Sequence, residues 1–391
     1  MYEKAIASRI DLLHTESAFQ IMARANALQS EGRSIIHCEI GQPDFITPKN
    51  IIDAACDAMR GGYTGYTPTA GYPEVRQAIA DYVREYKHVP AEKENVVIVP
   101  GGKPVMFFAT QLLVNPGDEV IYPNPGFPIY ESCIRYAGGV PVPMPLLAEN
   151  GFRPDWDAFE RSISDKTKLV IINSPSNPTG GVFDEADILR LSGILEKHPD
   201  IFILSDEIYD RLIFEGSPIS IASLPGFQDR TIILDGFSKT YAMTGWRLGY
   251  GVMNREFAEK VELLMVNSNS CAAAFSQIAG KEALQGPQDS VDEMREAFRK
   301  RRDFLVKALN EIDGITCVNP HGAFYTFPDI SSFGLPDKVF CSRLLEEAGV
   351  AAAWGTAFGS YGKGYMRLSC ATSMENLEIA VDRIAAFTKT L

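Results

Sequence analysis

Apolar residues along this chain fall into short unbroken runs, separated by longer stretches of helical spacing. VVIVP (96–100), EVIYP (119–123), GVPVPM (139–144), KLVIINS (168–174), IFILSD (201–206), TIILDG (231–236) and RLGYGVM (247–253) have strand length and few polar interruptions. Helical patterns lie between them near 103–114, 127–136 and 184–197. Strands that are apolar throughout, alternating with helices, predict a mostly parallel seven-stranded sheet covered by helices on both faces. Upstream, 16–31 reads as an amphipathic helix with Phe19, Met22, Ala23 and Ala27 on one side, and helices are expected near 49–60 and 73–87.

Past the last strand the alternation stops. Two long helical patterns cover about 255–285 and 288–312. Strand-like GITCV (314–318), AFYTFP (323–328) and GYMRLSC (364–370) then mix with helices near 337–347 and 374–389, which suits a smaller α+β unit. The fold class is therefore α/β, a large domain over 48–300 with a discontinuous small domain made of 1–47 and 301–391. The helix at 16–31 is expected to pack with the C-terminal unit.

Composition narrows the function classes. The 391 residues carry 37 Lys and Arg against 50 Asp and Glu, a formal net charge of −13. That balance argues against a non-specific nucleic-acid or anionic-membrane binder, and it means that any anionic ligand must be held by local donors. No apolar run approaches the ~18–20 residues of a membrane helix. MYEKAIASRIDLLHTES (1–17) is too charged for a signal peptide, so a cytoplasmic chain is expected. The seven cysteines are scattered and never spaced C-x-x-C, which predicts buried free thiols. The histidines show no metal-binding pair spacing, and no metal is expected.

Ligands of open α/β sheets bind beyond the carboxyl ends of the strands, and four strand ends here are rich in polar residues. IINSPSNPTG carries Asn177, IFILSDEIYD carries Asp206 and Tyr209, and IILDGFSKTYAMTGWRLGY carries Ser238, Lys239 and Arg247. VVIVPGGKP runs through Gly102 and Lys103 into a helix start, where backbone N–H groups can meet a phosphate. Each segment has a plainer account on its own. NPTG is a good turn, Asp206 a helix N-cap, Lys239 a solvated lysine, Arg247 half of a surface ion pair, and a double glycine a loop. Order and combination make the case.

The segment SKTYAMTGWRLGY resembles the lysine signature S-K-x-x-x-x-x-G-x-R-x-G-Y of fold-type I aminotransferases. NPTG, SDEIY, the GGK turn and the late MRLS stand in that family's order, from GQPDF (41–45) to MRLSC (366–370). The chain is identified on these motifs as similar to the class I/II pyridoxal phosphate-dependent aminotransferases of the aspartate aminotransferase superfamily. The resemblance implies a pyridoxal 5′-phosphate cofactor and ping-pong transamination between an L-amino acid and a 2-oxo acid. It implies that Lys239 holds the cofactor as a Schiff base and shuttles a proton, and that Asp206 pairs with the pyridine nitrogen. Tyr209 and Asn177 would bond the ring's 3′-oxygen. Ser238, Arg247 and the N–H groups of Gly102 and Lys103 would bind the phosphate, an arrangement that suits arginine's planar fork.

Phe127, in NPGFPIY, stands where the family places an aromatic ring stacker; core packing is its plainer role. Arg367 would clamp the substrate α-carboxylate, with Gly41 and Asn177 beside it. Tyr66, in GYTGYTPTAG, matches a tyrosine that reaches the neighbouring subunit's phosphate, which implies a homodimer with a shared active site; a plain loop tyrosine is the alternative. The small domain is expected to close over the substrate.

Side-chain preference stays open at this level. MVNSNSCAAAF (265–275) contains no arginine that could take a second carboxylate from the partner subunit, so strict aspartate specificity is in doubt. Arg33 or Lys103 could serve instead; an aromatic or broad-range enzyme walled by Phe127, Tyr66 or Phe358, or alanine–pyruvate exchange, fits as well. Two other functions share the signature. A β-lyase of the same fold would use the same lysine, though such relatives often carry His where this chain has Tyr209. A non-catalytic cofactor-sensing regulator would need a DNA-binding segment, and GQPDF begins too early for one.

Overall fold

The computed structural model describes residues 6–13 and 16–391. Residues 1–5 and 14–15, part of the expected small domain, lie outside the described residues. In chain order, α1 (Ser17–Ser30) is followed by β1 (Ile36–His37), α2 (Lys49–Arg60) and α3 (Pro73–Lys87). Then come β2 (Val96–Val99), α4 (Lys103–Leu113), β3 (Glu119–Asn124), α5 (Ile129–Tyr136), β4 (Val140–Leu147), β5 (Arg153–Pro154) and α6 (Trp156–Ser162). The alternation continues through β6 (Thr167–Asn173), α7 (Glu185–Leu195), β7 (Phe202–Asp206), β8 (Thr231–Gly236) and β9 (Gly249–Val252). Three helices follow, α8 (Arg255–Val266), α9 (Ala274–Gln285) and α10 (Asp289–Asn310). The remainder holds β10 (Tyr325–Thr326), α11 (Asp337–Arg343), β11 (Val350–Ala351), β12 (Ala353–Trp354), β13 (Met366–Ser369) and α12 (Met374–Thr388).

All seven expected strands join one sheet, in the order β2-β9-β8-β7-β6-β3-β4-β5. The eighth member, β5, is a two-residue edge strand antiparallel to β4, too short to leave an apolar run in the sequence. β9 is antiparallel to both β2 and β8, and the inner pairs β8–β7, β7–β6, β6–β3 and β3–β4 are parallel. Consequently β2, β3, β6, β7 and β8 all end at one edge of the sheet, which is where ligands of such sheets bind.

Strand periodicity sorts the core. Val97 and Val99 pack on one face with α4, α5 and α8, through Phe108, Ile134 and Val261 among others. Val96 and Ile98 point the other way, toward Ile79 and Val83 of α3 and Ala279 and Ala283 of α9. β4 carries Pro141, Pro143 and Pro145, and its outer side is paired only from Leu146 onward; prolines are tolerated on such an open edge.

Several expectations need correction. GITCV forms no strand; Thr316 makes only an isolated bridge to Asp329. The pattern over 255–285 is two helices, α8 and α9, separated by residues 267–273. In α1 the buried stripe is Ser17, Ile21, Ala25 and Leu28, and Phe19 is 54% exposed. Both faces of α1 carry apolar residues, so docking rather than periodicity chooses between them. The helix does meet the C-terminal part of the chain: Ile21, Ala25 and Leu28 share a cluster with Leu345, Ala351 and Ala353, and Arg24 pairs with Glu346 at 2.6 Å. The cysteines are all free, but Cys56 and Cys271 are only half-buried.

Candidate active site

The converging strand ends open into a cavity of about 500 Å³. The residues expected to hold cofactor and α-carboxylate all line it except Tyr66, which is 92% exposed and stands apart. Arg33 also stays outside, with its guanidinium held by the Glu346 carbonyl and carboxylate. Among the proposed apolar walls, Phe127 and Phe358 line the cavity.

Asp206 is the last residue of β7 and is 5% exposed. Burial pushes its carboxyl up to about 6, against the opposing pull of Tyr130 and the Ile208 N–H, which donate to it at 2.6 and 3.3 Å, and of nearby Lys239. Asn173, at the end of β6, donates to the Asp206 carbonyl at 3.1 Å and accepts from the Asn177 N–H at 2.9 Å. These bonds lock two neighbouring strand ends together.

Lys239 follows β8 and donates from Nζ to the Gly41 carbonyl at 2.5 Å. Burial, then the charge of Arg367, lowers its pKa to about 8. A side chain at Gly41 would land on the Tyr325 hydroxyl, so glycine is required for this approach.

The anion cradle lies beside it. Gly102 precedes the first turn of α4, and Gly101 adopts φ 81°, where a Cβ would fall on the Arg247 guanidinium. Ser238 and Arg247 line the same cavity as this helix N-terminus, and among the described residues Arg247 is otherwise tied only to the Thr244 carbonyl at 2.8 Å.

Arg367, in β13, is 4% exposed. Its Nη1 donates to Asn177 Oδ1 at 2.9 Å and its Nη2 to the Glu39 carbonyl at 2.5 Å, while Nε is buried without a partner among the described residues. Its guanidinium stacks 4.5 Å from the Tyr325 ring centroid and 4.8 Å from that of Phe358. A guanidinium so fixed, with a donor to spare, can receive a carboxylate.

Some residues of the site left no usable sequence signal. Tyr325 sits on β10 opposite Ser369 of β13, and its hydroxyl meets that of Tyr209 at 2.9 Å. Glu16 and Phe19 reach the cavity from the start of α1. Tyr130 had a faint signal, being three positions after Phe127 at the start of a helix, with the two rings edge-to-face at 5.7 Å.

These residues suit pyridoxal phosphate. A buried carboxylate awaits a cation, a helix N-terminus with Arg247 and Ser238 awaits an anion, and between them stands a lysine whose amine is readily neutral.

Comparison with known proteins agrees with this geometry. The family model for aminotransferase class I and II matches residues 33–384. The aspartate aminotransferase of Rhizobium meliloti (strain 1021) is 38% identical over 97% of this chain and 95% of its own. The structure of the Thermus thermophilus aspartate aminotransferase with maleate superposes with a TM-score of 0.94 at 36% identity, covering 97% of this chain and 99% of that one. An aromatic aminotransferase from Pyrococcus horikoshii OT3 gives a TM-score of 0.89 at 37% identity over 93% and 98% of the two chains. With the match spanning nearly its whole length, the chain belongs to the class I and II aminotransferases of fold type I, and it is a pyridoxal phosphate-dependent transaminase.

Proposed function

We propose that this transaminase takes a dicarboxylic amino acid, aspartate or glutamate, as donor, and that Lys103 binds the second carboxylate. The observation that carries this reading is the division of cations in the cavity. Among the described residues four line it: Lys103, Lys239, Arg247 and Arg367. Arg367 is placed for the α-carboxylate, Arg247 for the phosphate and Lys239 for the reacting amine. Lys103 is left, its Nζ paired with Glu16, a residue of the chain rather than of the cofactor site, and 5.5 Å from the Phe127 ring centroid. The relatives named aspartate aminotransferases support the same choice.

When bound, pyridoxal phosphate supplies an aldehyde that takes up the amino group and a cationic ring that draws electrons from the substrate's Cα. The chain's own residues then do the following. Asp206 keeps the ring nitrogen protonated by offering it a buried carboxylate. Tyr209 and Asn177 donate to the ring's 3′-oxygen. Phe127 covers one ring face. Gly102, the Lys103 N–H, Ser238 and Arg247 fix the phosphate. Arg367 anchors the α-carboxylate, with Gly41 and Asn177 beside it. The Lys239 amine, neutral in good part near pH 8, removes the proton from Cα and returns it in the reverse half-reaction. Two half-reactions with alternate substrates give ping-pong kinetics.

We further read the working unit as a homodimer, a reading supported by Tyr66, which is exposed and outside its own cavity. The segments 1–47 and 301–391 act as a small domain that closes over the substrate and excludes water around Arg367. Seven unpaired thiols suit the reducing cytoplasm.

The experiment is a titration of the holoenzyme with aspartate, glutamate, alanine, phenylalanine and tyrosine, following the visible absorbance of the bound cofactor. Aspartate or glutamate should act at the lowest concentration, and Lys103→Met should raise KM for them far more than for alanine. Equal effects on aspartate and alanine would remove Lys103 from the role.

A further inference from the structure

Glu16 occupies the N-cap position of α1, yet its carboxylate makes no capping bond to that helix. It reaches across the mouth of the cavity instead and pairs with Lys103 Nζ. Glu16 is the more enclosed partner, its side chain 18% exposed against 48% for Lys103. Both line the cavity, together with Phe19, Met106, Phe127 and Phe358. A carboxylate of the chain thus already sits where a substrate's second carboxylate would be received.

We propose that Glu16 is a specificity-determining residue, an internal carboxylate that competes with the substrate's second carboxylate for Lys103 and so opens the site to uncharged, apolar side chains. The proposal rests on the reading of Lys103 given above. The physical logic is a difference of affinities. A dicarboxylic substrate must displace Glu16 from Lys103 and leave that carboxylate unpaired in a partly enclosed site. An aromatic substrate meets a neutral ion pair and aromatic walls, and displaces nothing. Glu16 also lies close enough to Lys239 for its charge to favour the protonated amine, so its influence extends to the reacting end of the cavity.

The test compares kcat/KM for aspartate and phenylalanine in the holoenzymes of wild type, Glu16→Gln, Glu16→Asp, Lys103→Met and the Glu16→Gln/Lys103→Met double variant. In Glu16→Gln the aspartate-to-phenylalanine ratio should rise by about fivefold, the size of a half-exposed ion pair, mainly through KM for aspartate. Glu16→Asp, which keeps the charge, should stay near wild type. In the Lys103→Met background, Glu16→Gln should no longer favour aspartate. A ratio unchanged or lowered in Glu16→Gln, with Lys103→Met still raising KM for aspartate, overturns the proposal and leaves the Lys103 reading standing. An unchanged KM for aspartate in Lys103→Met overturns both.

Discussion

The Tyr130 hydroxyl donates to a carboxylate oxygen of Asp206 at 2.6 Å, across 76 positions of the chain. This bond opposes the burial that lifts the Asp206 carboxyl to about 6. Tyr130→Phe removes the donor, so Asp206 takes up a proton more readily and pairs less well with a cationic ring. Pyridoxal phosphate should bind about tenfold more weakly at neutral pH, the worth of one hydrogen bond to a charged group, with a larger deficit toward about pH 6. Cofactor titration of the apoenzyme measures it. Equal affinity of variant and wild type at both pH values would show that Asp206 does not depend on Tyr130 for its charge.

Lys239 gives a kinetic prediction with a definite sign. Burial and Arg367 lower its pKa to about 8, and only the neutral amine attacks an aldehyde. Cofactor capture by the apoenzyme should therefore accelerate as pH rises and level off above about pH 8. Stability follows the same linkage. Between about 8 and the ordinary lysine value of 10.5 the unfolded chain binds more protons, so this group makes the apoenzyme more stable as pH rises across that window. Stopped-flow absorbance and denaturant melts check the two statements. Lys239→Ala should abolish multiple turnovers.

Arg367→Lys keeps a positive charge but loses the planar fork that bonds Asn177 and the Glu39 carbonyl together. KM should rise by about a hundredfold for every amino acid tested, since charged bidentate contacts of this kind are worth about 2–3 kcal/mol. The rise should be the same for aspartate and alanine. A rise confined to dicarboxylates would assign Arg367 to the side chain instead.

Behind the site, Lys87 is buried among three carboxylates: Glu207 at 2.9 Å, Asp210 at 2.6 Å and Asp235 at 2.9 Å. Burial works against its charge, but Asp210, Asp235 and Glu207 outweigh it and hold Lys87 well above the usual lysine range. Burial and the neighbouring Asp210 push the Asp235 carboxyl well up. Lys87→Met should cost about 3–5 kcal/mol near pH 8, because it strands buried anions. A folded-state pKa above the unfolded one adds stability at low pH that is lost as pH rises through it. The deficit should accordingly shrink as the medium is taken toward about pH 5. Urea melts across pH measure it, and a deficit independent of pH would contradict the cluster's role.

The apolar runs and the motifs at their ends were determined by the sequence. A strand covered on both faces has to be apolar along its covered length, so the runs 96–99 and 169–172 announce themselves. Lys239 and Asn177 were legible because they follow such a run by a few residues, Asp206 because it ends one, and Arg247 because it stands eight residues after Lys239 in the lysine signature. Tertiary structure decided the rest. Which face of α1 is buried depended on docking, since Phe19 and Ile21 are both apolar and only Ile21 went inward. The two-residue β5 and the bridge that replaces a strand at GITCV are too slight to impose a pattern. Tyr130 with Asp206, Lys87 with Glu207 and Glu16 with Lys103 join residues 76, 120 and 87 positions apart. Periodicity records only which way a side chain faces within its own element. The partner it finds there is fixed by how distant elements pack, and the charge state of each buried group follows from that packing.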